Sequence, residues 1–479
     1  MKTTQVCCEN GKVKHATRFI GGWVAVVMHP EGIRQFIPSS GKRTILALLT
    51  AAVAVVLSSR VYAVPQMQFS APTNFNLGAP CDQICAGDFN GDGVPDLALR
   101  FNGIYLSILT NNGNGALAAF TNYNTFLYMN SIASGDFNND NKPDIVTVMD
   151  SFVKVWLGNG DGAFMSTNVS FNSYGYGNAV TTGDFNRDGK LDMAVLAQHE
   201  FQIFLGQGDG SFTFLTNYSA GNPSYSIAVG DFNGDNHPDL VTANYSYSSM
   251  SVFLGNADGT FASPTNYSGD FSEYHYSVAV GDFNGDGKPD LTTVNFYDGS
   301  ISVRLNNGDG IFGTEKKYKT AFGPVAVAVA DFNGDGNLDI VTANVGTSES
   351  LAILPGNGDG TFGTALTNFP GVGGFLNQSL AVADFDGDGK PDIATTRIAN
   401  NSVSLLLNRT LPALRVQATN GVAKLMWPNW SGYSLECTTN LCLTNGWVTV
   451  TNAPVVFGSQ KILTNTMAGG SRFFRLKGF

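Results

Sequence analysis

The chain has 479 residues, 43% of them hydrophobic and 14% charged, with a formal net charge of -11. Apolar content on that scale excludes wholesale disorder, and 56 glycines against 18 prolines point to many tight turns rather than a collagenous repeat. Residues 1–63 carry +6 and residues 411–479 carry +5, which leaves -22 on 64–410, a poor partner for nucleic acid or an anionic lipid surface.

The first element is an address. Ile45 to Leu57 is an apolar run of 13 residues preceded by Lys42 and Arg43. It is short for a bilayer span and normal for the core of a signal peptide. Val61-Tyr62-Ala63 presents small residues at the positions a signal peptidase reads, so cleavage is expected after Ala63. Residues 1–63 then form a signal peptide with a long n-region, which a start at Met28 instead of Met1 would shorten. The chain is expected to be secreted or displayed at the cell surface, with no membrane span after cleavage; an uncleaved anchor is the alternative. Export places Cys81, Cys85, Cys437 and Cys442 in an oxidising compartment. Cys437 and Cys442 flank a turn-like segment and could pair, whereas Cys81 and Cys85 lie too far apart if their segment is extended.

A nine-residue motif then recurs seven times. Asp88-Phe-Asn-Gly-Asp-Gly-Val-Pro-Asp96 is followed by copies starting at Asp136, Asp184, Asp231, Asp282, Asp331 and Asp384, with spacings of 47 to 53 residues. That period means an array or a propeller. Each unit carries four strand-length runs rich in Val, Ile, Phe and Thr: one before the motif, one after it, one ending in a Gly-rich turn, and one bearing an aromatic. A four-stranded antiparallel meander follows, and seven of them placed radially make an all-β, seven-bladed β-propeller over 64–410. The seventh unit stops after its third strand at Ser404–Asn408. Gln68–Phe75 matches the missing fourth strand, so the N-terminal strand is expected to close the ring and hide its edge.

These repeats resemble the FG-GAP and VCBS families, which share the calcium-loop propeller of integrin α-subunits; Gly78-Ala-Pro80 keeps the literal GAP. The resemblance covers residues 66–408. It implies calcium loops and an extracellular binding or adhesion role, and it is compatible with lectins and a few extracellular enzymes.

The loops carry their own argument. Positions 1, 3, 5 and 9 offer alternate oxygen-bearing side chains, and the carbonyl of position 7 adds another oxygen, a donor set that suits Ca²⁺. The expected ligands are Asp88, Asn90, Asp92 and Asp96; Asp136, Asn138, Asp140 and Asp144; Asp184, Asn186, Asp188 and Asp192. They continue with Asp231, Asn233, Asp235 and Asp239; Asp282, Asn284, Asp286 and Asp290; Asp331, Asn333, Asp335 and Asp339; and Asp384, Asp386, Asp388 and Asp392. Up to seven Ca²⁺ are expected, with the ninth-position Asp closing each site because no glutamate stands at position 12. Twenty-two of the 31 aspartates lie in these loops, more than turn formation needs. Position 6 is Gly in five loops and Asn in two, Asn141 and Asn236, both residues that accept a left-handed backbone. The second Gly-rich turn, as at Gly158–Gly162, has one carboxylate and reads as a hairpin turn.

Residues 411–479 read as a small C-terminal β-sandwich. The Trp427, Tyr433 and Trp447 order loosely resembles a fibronectin-III-like fold, for which 69 residues are few.

No nucleophile elbow, zinc-protease motif or phosphate loop is present, and only three histidines lie beyond residue 63. The leading expectation is therefore a monomeric binding or adhesion module for an extracellular glycan or protein; the alternative is a lyase-like enzyme acting on polysaccharide. In a meander the first and third turns share one end, so the calcium loops crowd one face. The opposite face receives Tyr128, Tyr174, Tyr176, Tyr225, Tyr245, Tyr247, Tyr274, Tyr276 and Tyr297, expected to contact ligand unless they only pack between blades.

Overall fold

The computed structural model describes residues 67–479 except for 150–151, 171–176, 198, 221–222, 245–248, 270–274, 347–350, 368, 370–378, 420–421, 439–447, 467–471 and 479, together with four short strands within residues 8–36. The signal-peptide core, the expected cleavage point, Tyr174, Tyr176, Tyr245, Tyr247, Tyr274 and Cys442 lie outside the described residues. Among those described there is no α-helix, and hence no helix long and apolar enough to cross a membrane. Two compact units are present: 69–332 with 337–409, and 1–68 with 333–336 and 410–479.

The larger unit is a propeller. Its sheets follow chain order: Cys81–Gly87, Asp96–Phe101, Tyr105–Asn111 and Leu117–Asn124 form the first, and each later sheet repeats the meander. Seven such sheets occur among the described residues, the sixth with three strands and two isolated bridges, Ile353 to Leu366 and Gly356 to Phe362, in place of a full fourth. The first strand of each sheet packs on the first strand of the next, and the last, Leu380–Ala383, returns to Cys81–Gly87. The second strands, such as Asp144–Met149 and Asp192–Ala197, are buried along their whole length. They are covered by neighbouring sheets on both sides, so they read as continuous apolar runs rather than as alternating ones.

Closure takes the expected form. Thr73–Asn76 pairs with the third strand of the seventh sheet in the register Ser402↔Asn76, Val403↔Phe75, Ser404↔Asn74 and Leu405↔Thr73, and a bridge joins Phe69 to Asn408. Cys81 and Cys85 sit on one strand as free thiols, as extended spacing requires. Burial pushes both up to about 12, so neither is a reactive thiolate.

The Phe at position 2 of each motif is the packing key. Phe89, Phe137, Phe185, Phe232, Phe283, Phe332 and Phe385 are all at most 2% exposed. Phe137, for example, sits among Val146 and Val155 of its own sheet and Met193 and Val195 of the next. Its carbonyl works as well: Gly162 N–H donates to Phe89 O at 3.0 Å, Gly210 to Phe137 O at 3.0 Å, Gly310 to Phe232 O at 2.9 Å and Gly360 to Phe283 O at 3.0 Å. The Gly-rich third turn of one blade thus fastens to the aspartate loop of the blade before.

A second fastening uses the fourth-strand tyrosine. Tyr123, Tyr267 and Tyr318 donate their hydroxyls to Gly162 O, Gly310 O and Gly360 O of the following blade, and Tyr267 also accepts from Phe312 N–H at 3.0 Å. Tyr267→Phe, which deletes only the hydroxyl, is expected to cost about 1–2 kcal/mol, read as a lower urea midpoint with an unchanged slope. An unchanged midpoint would refute the latch.

Besides the two-stranded ladder of Cys8–Glu9 and Lys12–Val13, the smaller unit holds two larger sheets among the described residues. One is ordered Arg415–Thr419, Val422–Pro428, Gln460–Thr466, Val455–Phe457; the other runs Val448–Thr449, Tyr433–Thr438, Arg472–Gly478, then the hairpin Ala25–His29 and Gly32–Phe36. Leu414, Leu425, Trp427 and Leu463 meet Leu435 and Phe474 in one core.

Candidate metal loops and the face opposite

Each aspartate loop joins the first strand of a sheet to the second. In the first loop, Asp88 accepts the N–H groups of Asp92 (3.0 Å) and Gly93 (2.9 Å), Asn90 Oδ1 accepts from Asp92 (2.9 Å), and Asp92 Oδ1 accepts from Val94 (2.9 Å). The same turn-locking bonds hold the loops that begin at Asp136, Asp184, Asp231, Asp282 and Asp384. They require a left-handed residue at position 6, supplied by Gly93 (φ 86°), Gly189 (φ 82°), Asn141 (φ 61°) and Asn236 (φ 65°) among others. In the sixth loop Asp331, Asn333 and Asp335 are buried.

The ninth-position aspartate stands apart from the first, third and fifth. It is the first residue of the second strand, and Asp96, Asp144, Asp192, Asp239, Asp290, Asp339 and Asp392 are all 0% exposed. One oxygen accepts the N–H of the position-2 Phe, as from Phe137 to Asp144 at 2.8 Å. The other accepts an N–H at the end of the third strand, as from Gly158 to Asp144 at 2.7 Å or Asn306 to Asp290 at 2.7 Å. The carboxylate therefore staples the hairpin and the loop together. Burial raises its pKa against the relief of these bonds, and neighbouring loop carboxylates raise it further, to about 6 for Asp96, Asp144, Asp192, Asp239 and Asp290 and about 7 for Asp392.

Asp384, Asp386 and Asp388 bring one oxygen each within 4.8 Å of one another, and no other trio of acidic side chains does so among the described residues. Asp386 Oδ1 is buried without a hydrogen-bond partner, while its Oδ2 receives Arg409 Nη1 at 2.6 Å. Lys390 Nζ lies 2.6 Å from Asp388 Oδ2. Position 7 places a basic side chain near the position-5 carboxylate in other loops also, as with Lys190 at 3.4 Å from Asp188 and the His237 ring at 3.1 Å from Asp235.

The opposite face gathers aromatic side chains. Tyr225 opens the first strand of the fourth sheet, Phe296 and Tyr297 lie in the turn between Asp290–Asn295 and Ser300–Arg304, and Phe322 sits in the link after Lys316–Lys319. Ring centroids run from Tyr225 to Tyr276 (5.8 Å), Tyr276 to Phe296 (5.2 Å), Phe296 to Tyr297 (5.1 Å) and Phe296 to Phe322 (6.2 Å). Tyr297 and Phe322 are more than half exposed. The link between the first two blades adds Phe126, Leu127 and Tyr128, all exposed, with Arg100 4.9 Å over the Tyr128 ring. Of the expected tyrosines, the structure places Tyr128, Tyr225, Tyr276 and Tyr297 here, the last three in one run. Sequence reading missed Phe296 and Phe322, which join that run; their signal was position in the second turn and the inter-blade link, not residue type.

The profile described as FG-GAP-like repeat matches residues 136–195, 184–242, 231–293, 292–342 and 331–395. Among solved structures, BBS1N in complex with ARL6DN is similar in a mercury-soaked and a lead-soaked crystal, each at 10% identity over 71% of this chain and 96% of that one, with TM-scores of 0.53 and 0.52. An Agrocybe aegerita lectin described as recognising non-reducing terminal N-acetylglucosamine aligns at 20% identity over 73% of this chain and 91% of its own, with a TM-score of 0.45. No curated protein matches.

Proposed function

The chain belongs to the FG-GAP-like repeat family, and from that premise we propose an exported, calcium-stabilised propeller that binds an extracellular glycan or protein through the face opposite its aspartate loops. Residues 1–63 act as the export signal, whose hairpin within 25–36 at the edge of the second sheet leaves with cleavage, 64–410 as the binding propeller and 411–479 as a small fibronectin-III-like sandwich, and the chain works as a monomer.

Calcium is held by the oxygens of positions 1, 3 and 5 and the carbonyl of position 7. The ninth carboxylate, with both oxygens engaged by backbone N–H groups, contributes charge and fixes the loop. The buried, unpartnered Asp386 Oδ1 within a carboxylate trio is the feature that a hard divalent cation satisfies. When bound, the ion offsets the mutual repulsion of the loop carboxylates.

The run Tyr225–Tyr276–Phe296–Tyr297–Phe322 is the observation that carries the binding role. Flat rings grouped on one face, three with hydroxyl tips and with Tyr225, Tyr297 and Phe322 exposed, suit sugar or protein contact. Tyr297→Ser with Phe322→Ser changes exposed side chains only. Against immobilised xylan, cellulose, chitin, collagen and fibronectin, this variant is expected to lose about tenfold in affinity for whichever probe the native protein retains, with calcium-dependent melting unchanged. Undiminished binding would place the ligand elsewhere.

A further inference from the structure

The sixth aspartate loop departs from the others. Its tip, residues 333–336, belongs with 410–479 to the smaller unit. In the first five loops the position-5 aspartates, Asp92, Asp140, Asp188, Asp235 and Asp286, are exposed, and in the seventh Asp388 is half-buried. In the sixth, Asp335 is 7% exposed, Asp331 8% and Asn333 0%.

The cover over the tip is built from large side chains. Gly334, at φ 69°, lies so close to Pro428 and Trp430 that a Cβ there would come within 2.5 Å of both. Gln460 Nε2 donates to Gly334 O at 3.2 Å, and a Cβ on Gly336 would meet the Gln460 side chain at 3.1 Å. Position 4 of this loop therefore has to be glycine for space as well as for its left-handed backbone. Where no such cover is seated, the same position accepts Asn139 and Arg187, in the second and third loops.

The charge at the tip differs as well. Lys142, Lys190, Lys288 and Lys390 hold position 7 in the second, third, fifth and seventh loops, at 3.7, 3.4, 3.9 and 2.6 Å from the position-5 carboxylate. Position 7 of the sixth loop is Asn337, and the cation comes from far along the chain: Arg415 Nη2 lies 2.9 Å from Asp335 Oδ2, with the two side chains 18% and 5% exposed. Lys142, Lys190 and Lys288 are 43%, 35% and 41% exposed, so a flexible stem is free to swing toward water and yield its place to an ion. Arg415 is enclosed at the head of the strand Arg415–Thr419. The seventh loop, whose Lys390 is also buried, carries a third carboxylate at position 3, Asp386; the sixth has Asn333 there.

These residues do not fit a calcium ion. Ca²⁺ takes roughly six to eight oxygens, waters commonly among them, whereas here one carboxylate is committed to a guanidinium and side chains close off the tip. A dication beside an enclosed guanidinium also meets like charge with little solvent to screen it. We propose that the sixth loop takes no calcium and that Arg415 is its resident cation. The inference rests on the metal reading of the other loops, and it goes beyond that reading by giving one loop a fixed protein charge, so that its tip holds its shape when calcium is withdrawn.

The test is the calcium bound per chain, measured by atomic emission after gel filtration of the mature protein, on matched position-5 variants. Asp92→Asn, in a loop whose position 7 is the apolar Val94, should remove one ion; Asp335→Asn should remove none. In chelator the order inverts: Asp335→Asn and Arg415→Gln should each lower the melting temperature by several degrees, the pair together no further than either alone, while Asp92→Asn should leave it unchanged or raise it. Loss of one ion with Asp335→Asn, or chelator melts that ignore Arg415→Gln, would overturn the proposal. Should the Asp335 variant not fold, the unmodified protein decides: at most six ions at saturation are expected, one for each of the other loops, and a seventh overturns it. If Asp92→Asn also removes no ion, the metal reading of the loops fails, and the chelator melts still decide the role of Arg415.

Discussion

Chelation is expected to lower the melting temperature of residues 64–479 by well over ten degrees. A site filled at about 100 times its Kd adds roughly 2.7 kcal/mol when only the folded state binds. In a domain of this size each kcal/mol moves the midpoint by about 2–4 °C, and several loops contribute. The buried ninth-position carboxylates give the result a pH signature. Their folded pKa is raised to about 6, and to about 7 for Asp392. Between the unfolded value near 4 and these values the folded state holds more protons, so stability falls as pH rises through that window. In chelator the protein should therefore melt higher at pH 5 than at pH 7.5. In calcium the order should flatten or reverse, because a cation bound beside the ninth-position carboxylate favours its charged form. Coincident melts with and without calcium at pH 7.5 would remove the metal from the account of stability. Asp282→Ala with Asp286→Ala should remove one increment and leave the others.

Removing residues before Gly78 is expected to convert a cooperative, soluble propeller into an aggregating one. The truncation strips the strand Thr73–Asn76 from Ser402–Leu405 and takes Phe75 and Leu77 out of the core shared by the first and last blades. An unpaired apolar edge is then left free to recruit other chains. A peptide of residues 66–78 added in trans should restore a sharp melt. A truncated chain that melts like its parent would mean that the ring holds without its strand.

The number of repeats, the meander and the closing strand were legible because each is written in local pattern: a fixed period, four short runs, and a match between residues 68–75 and a missing strand. The left-handed sixth position was legible from Gly and Asn alone. The place of the ninth aspartate was not. Spacing gives an oxygen within reach of the loop, but Asp96 is also the first residue of a strand, and the pleat turns it inward to backbone N–H groups at Phe89 and Asn111. The tyrosine latches escaped for a similar reason, since their partners lie some 40 residues away in the next sheet.

The closing strand also sets an order of events. Asn74 and Ser404 hydrogen-bond across 330 positions of sequence, yet tethering ends that far apart costs only about 1.7 kcal/mol more than joining ends one repeat apart, by the logarithmic growth of loop entropy. The burden falls on time instead of on equilibrium: the N-terminal strand has no partner until the last blade has been made, whereas each inner blade can form beside its predecessor. Refolding should then show blade formation first and ring sealing as a separate slow phase, carried by long-range contacts, and a nascent or translocating chain must keep Thr73–Asn76 from pairing with the wrong edge for as long as the remaining repeats take to arrive.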